Sequence, residues 1–187
     1  MPSVAAPFGI QPAFHPSGTI RPEVATIASA YNTSILQYAP VRIAADGTIE
    51  IAAVDARAVG VFLGCTYYDA TGRFVLSNQW IANTALLANT VCTAYFTRDP
   101  AIRYRVQASG TLAITTMGQQ FDWTVATNGS TGTGLSSVAL DIGSSAANAG
   151  LRIVGLSEDV DNAWGDTFVN VIVEFSEHQD VADVAAY

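Results

Sequence analysis

AVGVFLGCTYYDATGRFVLS, residues 58–77, reads as one β-hairpin. Its first limb, residues 58–68, is rich in β-branched and aromatic side chains, the types that fit a pleated, half-buried surface. DATG at 69–72 is turn chemistry: the Asp side chain bonds nearby backbone, and Gly allows a positive φ. RFVLS at 73–77 resumes the strand pattern. A fold that contains this element is built from strands.

Working outward, the same grammar recurs. VRIA, ADG and TIEIA (41–52) are two strand-like runs around a Gly turn. TVCTAYF (90–96) and IRYRVQA (102–108) flank RDP and predict a third hairpin. In the second of these, arginines alternate with Ile102, Tyr104 and Val106, as one wet and one dry face require. GLSSVALDI (134–142), GLRIVGL (150–156) and TFVNVIVEFSEH (167–178) add strands, and the last has Phe168, Val171, Val173 and Phe175 as its apolar set. TNGSTGTG (127–134) and GSSAANAG (143–150) read as Gly-rich loops. PEVATIASAY (22–31) fits either one short helix behind Pro22 or continuing extended chain. The tail QDVADVAAY is expected to fray or to dock on a neighbour. The chain is thus expected to be all-β, a β-barrel or β-sandwich of short antiparallel strands with at most one short helix.

The lead-in behaves differently. FGIQPAFHPSGTIRP (8–22) carries Phe8, Ile10, Phe14 and Ile20, which favour leaving water. Pro12, Pro16 and Pro22 forbid a continuous helix or a central strand. Residues 1–22 are therefore expected to form an extended arm and residues 23–187 a single domain. Two placements of the arm are open: a neighbour's groove, or an exposed edge of its own sheet.

Composition narrows the function. Only 13% of the 187 residues are charged, against about 25% in ordinary domains, which leaves few charges to cover a lone monomer and hints at burial against a partner. The net charge is −8, and all basic residues are arginine. Scattered arginines outnumbered by acids argue against nucleic-acid binding, which draws its affinity from basic contacts to phosphate. No run approaches the roughly 20 apolar residues of a membrane helix. The start lacks a basic-then-apolar leader, so a protein made and used without export is expected. Cys65 and Cys92 lie in apolar strand-like runs and are expected to be buried and reduced; a bridge between them stays open.

The chemistry-bearing motifs are weak. GSTGTG has no lysine after it, which removes the usual phosphate loop. SEDVDNAWGD (157–166) gathers Glu158, Asp159, Asp161 and Asp166, but at a spacing unlike the helix-loop-helix calcium loop. A solvated acidic turn is the favoured reading, and a weak calcium site is the minority one. His15 and His178 are the two histidines, and neither sits beside a nucleophile in a recognisable turn. No catalytic residue, cofactor or metal ligand is therefore expected. Tyr67, Tyr68, Trp80, Trp123 and Trp164 suit a sugar platform or, more commonly, core and interface anchors. Trp164, in the acidic loop, is expected to be partly exposed before assembly.

Taken in order, HPSGTIRPE, PVRIAADGTIEIA, DARAVGVFLGCTYYDATGRFVLSNQW, FTRDPAIRYRVQASG and LRIVGLSEDVDNAWGDTFVNVIVEFSEHQ resemble the head decoration, or capsid cement, proteins of tailed bacteriophages. The resemblance runs over roughly residues 8–179. It implies a non-enzymatic virion protein on the outer face of an icosahedral capsid, with the major capsid protein and further copies of itself, as a homotrimer, for partners. Phe8, Ile10, Phe14, Ile20 and Trp164 are the expected partner-interface residues. The alternative is a carbohydrate-binding β-module that uses exposed Trp and Tyr; a small enzyme with an unrecognised carboxylate pair is a third reading.

Overall fold

The computed structural model describes residues 4–54 and 56–181. The end of the tail, 182–187, lies outside the described residues. The first part of the chain forms β1 (Gln11–Phe14), β2 (Glu23–Ile27), β3 (Pro40–Ile43), β4 (Ile49–Ile51), β5 (Gly60–Tyr68), β6 (Phe74–Ser77), β7 (Cys92–Phe96) and β8 (Arg103–Gln107). The second part adds β9 (Gln120–Phe121), β10 (Gly129–Ser130), β11 (Leu135–Ser136), β12 (Leu151–Leu156) and β13 (Asn170–Phe175). A 3-10 turn at Ile114–Thr116 is the helical element among the described residues. The fold is all-β.

Two antiparallel sheets carry it. One runs β1-β8-β13-β12-β9; the other runs β2-β7-β5-β3-β4, with β6 beside the C-terminal half of β5. The second sheet curls until β2 and β4 approach, and the Tyr31 hydroxyl spans the gap by accepting the Ile51 N–H at 3.2 Å. Neither sheet closes into a barrel.

β5 is the wall between two cores. Val61 and Leu63 face the first core, which the five-stranded sheet covers with Tyr104, Val106, Val171 and Val173. Phe62 and Cys65 face the second core, with Ile35, Val41, Trp80 and Phe96. A strand buried on both faces needs apolar residues at successive positions, which is why GVFLGC does not alternate. A bulge between Phe62 and Gly64 changes the register midway. Gly60 has its own reason: a Cβ there would lie 1.9 Å from the Thr97 carbonyl oxygen.

Two hairpins formed as read: β3–β4 around Gly47 and β5–β6 around DATG. In the second, Asp69 Oδ1 accepts the N–H groups of Thr71 and Arg73. The third hairpin did not form. β7 pairs with β2 and β5, while β8 pairs with β1 and β13, so 97–102 is a crossover between sheets. Alternation told which faces these strands would bury, not which strands they would join. Thr97 pins the crossover. Its N–H donates to the Val61 carbonyl at 3.0 Å, its Oγ1 accepts the Val61 N–H at 2.9 Å, and it bonds the Tyr104 hydroxyl at 2.9 Å. The stretch 22–31 supplies strand β2 rather than a helix.

β1 is the edge strand of the first sheet, paired with β8. Pro12 is tolerated because an edge strand leaves one side unpaired, and a bulge follows between Pro12 and Phe14. The lead-in therefore lies along the chain's own body.

Candidate interaction surface

Of the residues expected at a partner interface, Ile10 needs correction. It is fully buried in the first core, and its N–H donates to the Tyr38 carbonyl at 3.0 Å. The pattern of an apolar residue among prolines does not say whose groove it fills. Phe8 is half-buried, 4.8 Å beneath the Arg105 guanidinium. Phe14 is 51% exposed, with Arg103 at 5.8 Å from its ring. Ile20 and Trp164 are half-buried and pack against the first core from different segments. Ile10, Ile20 and Trp164 thus belong to or pack on the first core, while Phe8 and Phe14 lie against arginines of β8.

The outer face of the five-stranded sheet is polar and ionic. Arg105 donates to Asp159 at 2.7 Å and to Gln11 at 2.8 Å, tying the arm to the acidic loop. Arg152 faces Glu174 at 3.5 Å. Asp159 also accepts from Asn170, and Asp166 accepts the Ala163 N–H, so these loop carboxylates serve the loop's own structure. Among the described residues no group of three or more His, Cys, Asp or Glu is placed to hold a metal ion.

One arrangement escaped the sequence reading. His15 Nδ1 lies 2.6 Å from Ser17 Oγ, and its Nε2 lies 3.0 Å from Asp99 Oδ2. The order resembles a Ser-His-Asp relay, but its local cause is plain. The Ser17 N–H also donates to Nδ1 at 3.1 Å, and the Gly18 N–H donates to the His15 carbonyl at 2.8 Å, so a His-Pro-Ser-Gly turn sets the contact. With Nδ1 accepting, Nε2–H donates to Asp99. The group fastens the arm to the crossover. It was not legible because Asp99 is 84 residues away.

Other reactive groups are enclosed. His178 is buried, Nδ1 accepts the Asp180 N–H at 3.1 Å, and burial holds the imidazole below its ordinary pKa. Cys65 and Cys92 are free and buried. The contact with Cys65, together with burial, pushes the Cys92 thiol far up, away from the reactive thiolate. Trp80 and Trp123 are fully buried, which removes two of the three tryptophans a sugar platform would use.

What remains is a surface the sequence did not single out. On the outward face of β2-β7-β5-β6, register brings together Val24 with Tyr95, Thr26 with Thr93, and Thr66 with Leu76. Tyr68 with Phe74 and Val91, just ahead of β7, extend the patch. Leu76 is 75% exposed and Phe74 57%, and Val24 and Val91 each show more than half their surface. The tyrosines here carry a polar tip, but this face presents no Asp, Glu, Arg or His. Gly64 leaves a gap between Leu76 and Tyr95, the floor of a shallow groove of about 480 Å³. This face is the candidate interaction surface among the described residues. Comparison with protein-family models, with curated proteins and with solved structures found no match.

Proposed function

We propose that this chain is a non-enzymatic virion protein that binds the outer face of an icosahedral phage capsid. It bridges neighbouring major capsid subunits, stabilises the shell, and acts as a homo-oligomer, a trimer by analogy with the proteins it resembles. The observation that supports this reading most is the uncharged face of β2-β7-β5-β6 on a molecule with net charge −8. Its acids stay on the other faces and keep the particle surface soluble, while the apolar face is left to be covered. Covering Val24, Phe74, Leu76 and Val91 contributes about 1 kcal/mol each, since each is already partly shielded. A few kcal/mol per copy is weak alone and sufficient on a lattice where many contacts act together.

The reading is tested with the purified protein and bare capsids of the phage whose genome carries the gene. Wild type is expected to co-sediment with the capsids and to raise their melting temperature. Leu76→Asp and Phe74→Asp, both at exposed positions, are expected to keep the fold and lose binding. Capsids that ignore the wild-type protein, or that bind both variants as well as wild type, would refute it.

A further inference from the structure

The outer edge of β6 carries a second message, separate from its side chains. The Asp69 N–H donates to the Arg73 carbonyl at 3.0 Å. Hydrogen-bonded and non-bonded pairs alternate along an antiparallel ladder. Tyr67–Val75 and Cys65–Ser77 are therefore bonded pairs, and Tyr68–Phe74 and Thr66–Leu76 are not. The Leu87 N–H donating to the Tyr68 carbonyl on the far side of β5 agrees with this phase. It follows that the main-chain N–H and C=O of Phe74 and Leu76 point away from β5. Among the described residues no strand lies beyond β6, and these groups have no partner.

Exposed edges are normally blunted by proline, bulges, brevity or charge. β1 has Pro12 and a bulge, β9 is two residues long, and β4 carries Glu50 paired to Arg42. β6 reads FVLS, with no proline, bulge or charge inside it.

We propose that β6 pairs antiparallel with β6 of a second copy about a two-fold axis through Val75. In that register Phe74 faces Leu76 of the second copy, and Leu76 faces its Phe74. Both are pairs whose main-chain groups already point outward, so every free N–H and C=O finds a complement. The aromatic ring of one copy meets the leucine of the other on the same face, a favourable cross-strand pair. Arg73 falls opposite Ser77, so no like charges meet. The charged residue nearest the axis, Arg73, is held by Asp69 of its own chain at 3.3 Å, so the pairing brings no uncompensated charge to the axis. The joined sheet continues the uncharged face across both molecules. A strand pair this short buries less than the roughly 1,200 Å² of a stable complex, so association in solution is concentration-dependent. The inference concerns a two-fold contact between copies, separate from any interface that would build a trimer, and it holds or fails independently of shell binding.

The test is a cysteine placed on the axis. Residues opposed in a non-bonded antiparallel pair have Cα atoms about 4.5 Å apart, within disulfide reach. Val75→Cys in the full chain is expected to form a covalent dimer under mild oxidation on a non-reducing gel. Ala70→Cys, at the exposed tip of the hairpin, is expected to stay largely monomeric. The native thiols are buried and do not compete. Dimer formation by Val75→Cys no faster than by Ala70→Cys overturns the proposal, including the case where another chain's strand is the true occupant. Sedimentation of wild type over a concentration series gives a second readout. Leu76→Pro removes an outward N–H together with the leucine that would face Phe74, and is expected to abolish the rise in mass; a rise it leaves unchanged, or no rise in wild type, overturns the pairing. If Leu76→Pro does not fold, the crosslinking comparison decides.

Discussion

Replacing Ile10 by alanine asks whether the Pro-rich lead-in belongs to the chain's own core. The side chain is fully buried among residues of the first core. The substitution removes about three methylene equivalents at ~0.8 kcal/mol each, which gives about 2.4 kcal/mol of lost transfer energy. The unfilled cavity adds to this, and the measured range for such changes is about 2–5 kcal/mol. A loss of about 3 kcal/mol lowers Tm by roughly 6–12 °C in a chain of this size. Denaturant unfolding followed by tryptophan fluorescence suits the measurement, because Trp80 and Trp123 are both buried in the native state. Phe14→Ala is the control: at 51% exposure it is expected to cost less than about 1 kcal/mol. An isolated chain whose stability changes by less than about 0.5 kcal/mol on Ile10→Ala would refute the reasoning. The segment would then be ordered by a neighbour rather than by its own sheet.

Thr97→Val keeps the shape but strands the Val61 N–H and the Tyr104 hydroxyl in the interior. A loss of about 2–4 kcal/mol in chemical denaturation is expected, larger than for Tyr104→Phe, and equal losses would show that Thr97 is not the pivot. Stability should also fall in acid in two stages. Burial lowers the pKa of His178, so the folded chain holds it neutral while the unfolded chain takes a proton near 6.5. Its contribution is complete above that pH and erodes as pH drops below it, a slope that His178→Gln should flatten in a Tm-versus-pH series. The Arg98 side chain lowers the pKa of Asp180, and the pKa values of Asp69 and Asp99 are lowered by hydrogen bonds to Thr71 and to the Ala101 N–H. These contributions hold above pH 3.8 and are lost as pH falls through the lower folded values, so a second decline that began well above pH 4 would contradict this assignment.

Much of the fold was legible because it is local. DATG with its flanking strands, and ADG between VRIA and TIEIA, specify their pairing within a few residues. NVIVEF shows its buried face through Val171, Val173 and Phe175. What was not legible depends on distant partners. The RDP turn looked like a hairpin, yet Thr97 binds Val61 and sends the chain to the other sheet. Ile10 looked like a ligand for a neighbour, yet Tyr38 and the first core receive it. The uncharged face draws alternate residues from β2, β7, β5 and β6, two from each, and only the register between those strands reveals that no charge falls on it. A chain read one segment at a time shows Val24 and Leu76 as isolated apolar residues in unrelated strands.

The central claim is that the uncharged face meets a capsid from outside. A cryo-electron microscopy reconstruction of the particle tests it most directly. The account predicts density for this fold on the outer surface, over the junctions between capsid subunits, with Val24, Phe74 and Leu76 turned toward protein. Density inside the shell, no density at all, or the protein bound with that face open to solvent would contradict it.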